Sequence, residues 1–152
     1  MKTPPQRRLP SKYTNISKAD APDNFNADKI QAELDKIAEQ NAEEFLQLLI
    51  TNIRSNKYGF VLDPSTVKRK GSDTPLINQE YLINSLERQG TIVTIKEGTH
   101  PSGIKMLELA MMLEYGRKDK HIPAFPVARN TFEDFAPEAE ANLLNYLKDL
   151  KR

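Results

Sequence analysis

The stretch Ile104 to Phe135, IKMLELAMMLEYGRKDKHIPAFPVARNTFEDF, sets the organisation of the chain. From Ile104 to Tyr115 the only polar side chains are Lys105, Glu108 and Glu114, so apolar surface wraps most of a helical cylinder. That segment is too short to cross a bilayer, which takes roughly 20 apolar residues. It is expected as a buried central helix, or as one shared between a core and a partner subunit. Gly116 stands where a left-handed C-terminal cap is wanted, and Arg117, Lys118 and Lys120 bring positive charge to the free carbonyls. Pro123 and Pro126 fix the backbone around Ala124 and Phe125, and Pro126 suits the first turn of the next helix. The corner therefore reads as stiff.

Upstream, Ile83 to Arg88 and Thr91 to Glu97 flank Gln89-Gly90, which predicts a β-hairpin rich in the β-branched residues Ile92, Val93 and Ile95. Tyr58 to Leu62 is either a short strand or an apolar loop. Asp63-Pro64-Ser65 is a turn, and Lys68 to Thr74 an exposed loop. Further back, Ile30, Leu34, Ile37, Phe45, Leu48, Leu49 and Ile53 recur at helical steps after a capping Asn24 or Asn26. They predict one long amphipathic helix. Asp35, Glu39, Glu43 and Glu44 cluster on its outer side, either as a solvated face or as a receiver for a basic arm.

Residues 1–26 form the candidate arm, an extended, proline-punctuated segment with Lys2, Arg7, Arg8, Lys12 and Lys18 against Asp20 and Asp23. A solvated tail is the plain alternative. Leu9, Tyr13 and Ile16 would be its apolar anchors on a neighbouring subunit. Downstream of the corner, Val127, Thr131, Phe132 and Phe135 keep a helical period until Pro137, where a kink or a fresh start is expected. Leu143, Leu144, Leu147 and Leu150 then make a stripe expected to pack back on the long helix.

Composition limits the function classes. The 152 residues fit one domain, residues 27–152, behind the arm. A mean hydropathy of -0.62 suggests that part of the chain is solvated or covered by a partner. A formal charge of +1 argues against a general nucleic-acid coat. The absence of cysteine excludes disulfides and thiolate chemistry. No leader-like apolar segment stands at Met1 to Pro5, so the expected setting is a cytoplasm or a particle assembled in one. His100 and His121 show no metal-ligand spacing, and no nucleophile elbow, phosphate loop or dinucleotide fingerprint occurs. Neither a cofactor nor a catalytic group is nominated.

Glu114-Tyr115-Gly116, the charged loop and Ile122 to Arg129 resemble the C-terminal signature of the tail-completion or head–tail joining proteins of long-tailed phages. Leu62 to Thr66, Lys68 to Gly71, Pro75 to Ile77 and Leu82 to Leu86 resemble the same family in the same order, so the likeness spans Leu62 to Phe135. Where the family has Thr-Gly this chain has Gln79-Glu80, a turn then expected to forgo positive φ. The Arg-Pro-Phe corner reads Phe125-Pro126-Val127, and Arg117 replaces a threonine.

The expected fold is α+β, with a long N-terminal helix, a small antiparallel sheet, the buried central helix and a kinked C-terminal helix. The resemblance implies a non-enzymatic virion protein that assembles in the host cytoplasm as a ring, with six copies expected, at the neck. Its partners would be the head connector and the tail terminator or tube, with DNA passing through unread and no membrane involved. The candidate contact residues are Arg7, Arg8 and Tyr13 in the arm, Lys68, Arg69 and Lys70 in the loop, and Met112, Arg117 and Phe125 at the corner. Two other classes stay open: a small nucleic-acid-binding protein using the arm and Lys68 to Lys70, and an enzyme of unknown type.

Overall fold

The computed structural model describes residues 26–62, 64, 68 and 80–150. Among the described residues the architecture is α+β, with four bounded α-helices and a two-stranded antiparallel sheet.

Helix α1 runs Ala27–Ser55. Asn26 caps it by accepting the Lys29 N–H at 3.0 Å, and Asp28 in the first turn suits the helix dipole. Its other end closes on Asn56 in the left-handed conformation, whose amide exchanges two hydrogen bonds with the backbone of Phe60. The inward face is Ala42, Leu46, Leu49, Asn52 and Ile53. All five belong to the second half of the helix, so the core sits at that end.

Helix α2, Tyr81–Ser85, feeds directly into strand β1, Leu86–Gln89, which pairs with β2, Ile92–Ile95. The predicted hairpin exists but is shorter. Ile83 to Ser85 are helical because one turn of helix delivers Leu82 and Ile83 together into the core, where a strand would send them to opposite faces. Gly90-Thr91, not Gln89-Gly90, makes the two-residue turn, with positive φ at Gly90 alone as a type II′ turn requires. Glu80 also corrects the expectation drawn from its lack of a glycine: it takes φ 58 itself. Its carbonyl accepts the Asn84 N–H, and its carboxylate lies 3.6 Å from the Arg54 guanidinium.

Helix α3 is Met106–Tyr115, a three-residue 3-10 turn follows at Lys118–Lys120, and α4 runs Val127–Leu150. Ile104 belongs to the preceding loop, where its carbonyl accepts the His100 N–H. Helix α4 continues through Pro137 without the fresh start that the proline suggested. It lies antiparallel to α1, fixed by Asn52 to Thr131 at one end and Asn142 to Asn41 at the other.

The core cluster joins Leu49 and Ile53 of α1, Leu82 and Ile83 of α2, Met106 of α3, Phe125 of the corner and Val127 of α4. Of the two readings of the central helix, full burial is corrected here, because Met106 is its only fully buried residue. Leu109, Ala110 and Leu113 pack against the core, while Leu107, Met111 and Tyr115 stand 58%, 53% and 66% exposed. Among the described residues, no element covers the far side of α3.

Candidate interaction surface

The corner between α3 and α4 is built from backbone demands that the sequence meets one by one. The first four N–H groups of a helix lack intrahelical partners. In α4 all four are satisfied. Val127 N–H donates to the Phe125 carbonyl and Asn130 N–H to the Pro126 carbonyl. Ala128 and Arg129 donate to the two oxygens of the Glu114 carboxylate at 3.0 and 2.9 Å. Pro126 thus precedes the first helical residue instead of occupying it. A side chain from the last turn of α3 caps α4.

The end of α3 is closed by the same corner. Phe125 N–H donates to the Leu113 carbonyl, and Arg117 and Ile122 exchange two backbone hydrogen bonds that staple the intervening loop. Gly116 has the positive φ that was expected, 73°, but its ψ of 176° is not that of a left-handed cap. Its need for glycine comes equally from space: a Cβ there would lie 2.8 Å from the Ile122 carbonyl oxygen and 2.9 Å from the Ala124 nitrogen. Glu114-Tyr115-Gly116 therefore has a physical account in which Glu114 caps the next helix and Gly116 admits the returning chain. Tyr115 lies outside, with the Arg129 guanidinium 5.7 Å from its ring centroid.

Leu107, Met111 and Tyr115 are spaced by four and form one exposed apolar ridge along α3. Beside it lies an apolar groove of about 230 Å³ between β2, α3 and the start of α4, with Phe45, Leu86, Ile95, Ala110 and Ala128 among its walls. Met111 and Tyr115 border both this groove and a shallower one on the other side of the ridge, toward Lys105, Met112 and Arg117.

The nominated residues fall in three groups. Arg7, Arg8, Tyr13, Arg69 and Lys70 lie outside the described residues, and Lys68 is exposed. Met112 and Arg117 come together at the corner, the Arg117 guanidinium 3.5 Å from the Met112 sulfur and 2.9 Å from Asp119. That hydrogen bond holds the Asp119 carboxyl below its ordinary pKa. Phe125 is buried and meets Phe60 edge to face at 5.4 Å, so its ring supports the corner from inside and is not on an outer surface. Of the acidic cluster on α1, Glu43 and Glu39 face Arg88 of the chain's own sheet at 2.9 and 3.9 Å. They are part of the sheet's attachment, and not purely a solvated face.

Sequence reasoning passed over the ridge as a ridge, although the spacing of Leu107, Met111 and Tyr115 was its signal. It also passed over the polar contact across the helix pair. Asn52 Nδ2 donates to Thr131 Oγ1 at 3.0 Å, with both residues buried. Tyr58, beside them, donates to Asp134 at 2.8 Å, and Lys57 reaches the same carboxylate oxygen at 3.0 Å. Burial pushes the Tyr58 phenol up, while the hydrogen bonds from Tyr58 and then Lys57 hold Asp134 down. His100 is tied locally, its Nδ1 accepting the Ser102 N–H and its ring edge-on to Tyr81. Among the described residues no group of three His, Asp or Glu is placed to hold a metal ion, and no helix is long and apolar enough to cross a membrane.

No family model, curated protein or solved structure matches the chain in comparison.

Proposed function

We propose that this chain is a structural neck or tail-completion protein of a tailed phage, acting as a ring of identical copies that joins the head connector to the tail. The observation that supports this reading is the Leu107, Met111 and Tyr115 ridge, raised on a helix whose end is locked by Glu114 and Gly116. A rigid, one-sided apolar ridge next to an apolar groove suits burial against a second copy of the chain. Repeated head to tail, such a contact closes by rotation into a ring. The likeness of Leu62 to Phe135 to the neck family supplies the setting: connector on one face, tail on the other, and DNA threading the middle unread.

The test is the mass of the full chain across a concentration series. A closed oligomer that forms with rising concentration, and is lost in Met111→Asp while that variant keeps the parent's melting curve, is the expected result. A monomer at every concentration, or a ring indifferent to Met111→Asp, overturns the assignment of this surface.

A further inference from the structure

We propose that residues 1–25 of one copy dock along the helix pair made by residues 27–44 and 138–150 of the neighbouring copy. The proposal rests on the ring-forming reading and names a second contact within it. Leu143, Leu144, Leu147 and Leu150 remain 38% to 47% exposed, although α1 runs alongside them. Two helices cover each other's stripes on one side only, and the core cluster lies at the opposite end of the pair.

Charge and chain position identify the occupant. The two helical segments carry nine carboxylates against Lys29, Lys36 and Lys148, with Arg88 of the sheet also directed at them. Residues 1–25 carry five Lys and Arg against Asp20 and Asp23, and they place Leu9, Tyr13 and Ile16 among the cations. A cationic segment with spaced apolar side chains is the complement of an acidic helix pair with a half-covered leucine stripe. From Leu143 to Leu150 the stripe is about 11 Å long at 1.5 Å per helical residue, and an extended chain covers that in roughly three to four residues. The segment joins α1 at Asn26, at the same end of the molecule as the stripe. A reversal needs only two residues, so both the chain's own helices and a neighbour's are within reach of this segment. The ring reading selects the neighbouring copy as the recipient.

The sequence contains no cysteine, so introduced pairs read out cleanly. Full-length Ser11→Cys and Ala141→Cys chains, which keep every proposed anchor, are prepared separately, mixed and oxidised. The expected product is a cross-linked dimer of unlike chains, its yield falling several-fold as salt rises from about 0.05 to about 0.5 M. An intrachain link in the double variant without links between chains overturns the neighbour as recipient. Absence of any unlike-chain link in a sample whose mass shows assembly overturns the docking and leaves the ring reading standing. A monomer at every concentration removes both.

Discussion

Glu114 and Arg129, on different helices, are joined by a hydrogen bond of 2.9 Å from the Arg129 backbone N–H to the Glu114 carboxylate, whose other oxygen takes the Ala128 N–H. A helix N-terminus is here capped from the preceding helix instead of by its own flanking residue. The geometry couples the direction of α3 to the start of α4. The ridge on α3 is thereby held in a fixed relation to the long helix pair.

Removing this cap has a defined cost. Glu114→Gln keeps one acceptor oxygen and loses the charge, whereas Glu114→Ala leaves both N–H groups without a protein partner. Hydrogen bonds to a charged group contribute about 1.5 to 3 kcal/mol each and helix caps about 1. Chemical denaturation is expected to show Glu114→Ala destabilised by about 2 kcal/mol or more, with Glu114→Gln between it and the parent. Equal stability of all three proteins would mean that water replaces the carboxylate without loss.

Gly116→Ala is expected to cost more than Gly90→Ala. Both glycines have positive φ, but a Cβ at Gly90 meets nothing within 4 Å, while at Gly116 it runs into the backbone of the returning loop. Strain of the kind both positions share costs about 1 kcal/mol, and the forced backbone shift at Gly116 adds about as much again. Paired thermal melts of the two variants check the order.

These two positions also show what was legible in the sequence. Gly116, Pro123 and Pro126 restrict backbone geometry directly, so the corner and the end of α3 could be read from residue type. The sided exposure of α3 could not. A helix apolar on nearly all sides has no contrast between faces, and which side is covered is decided by the packing of α1, α2 and α4 against it. Glu80 was misread because conformational preference was taken as prohibition; the contacts of its carbonyl with Asn84 and its carboxylate with Arg54 accompany a left-handed residue there. Asn52 and Thr131 lie far apart in the chain, and neither belongs to a local pattern that announces a partner. Only the packing of α1 on α4 brings them together.

Thr131 has no solvent exposure, and its hydroxyl takes the amide of the buried Asn52. Thr131→Val keeps the shape and leaves that amide only its longer contact to the Tyr58 hydroxyl at 3.5 Å, a loss of about 1 to 3 kcal/mol. Thr131→Ser retains the acceptor and is expected to lose less. Combining Thr131→Val with Asn52→Leu removes both polar partners, so the double variant should be more stable than the sum of the single changes predicts. Urea titrations of the four variants measure this coupling.

Phe125→Ala opens a cavity where α3, the corner and Phe60 meet. Truncating a buried phenylalanine costs about 3 to 5 kcal/mol. Because the ring is internal, the loss is expected in the denaturation midpoint of the isolated chain, before any effect on assembly. An unchanged midpoint would contradict the burial of this side chain.

The pH dependence follows from Asp134, Tyr58 and Lys57, which share one small network. Asp134 has its carboxyl pKa lowered in the folded chain by the Tyr58 and Lys57 hydrogen bonds, so the folded state binds that proton less readily than the unfolded one. Its stabilising contribution is present above the unfolded carboxylate pKa, about 3.9, and is lost as pH falls through the lower folded value. Lys57 is raised by the Asp134 hydrogen bond and Tyr58 by burial, so their contributions are present below their unfolded values, near about 10, and are lost as pH rises through the folded ones. Asp134→Asn is thus expected to reduce stability at neutral pH and to converge on the parent as the medium is acidified toward pH ~2. Tyr58→Phe should leave the acid limb of the profile in place, with a smaller Asp134 contribution, and flatten part of the alkaline fall. Denaturation midpoints of the three proteins across the acid and alkaline ranges check both limbs; a difference between parent and Asp134→Asn that stays constant down to the lowest pH would show that the carboxylate charge is not what the network uses.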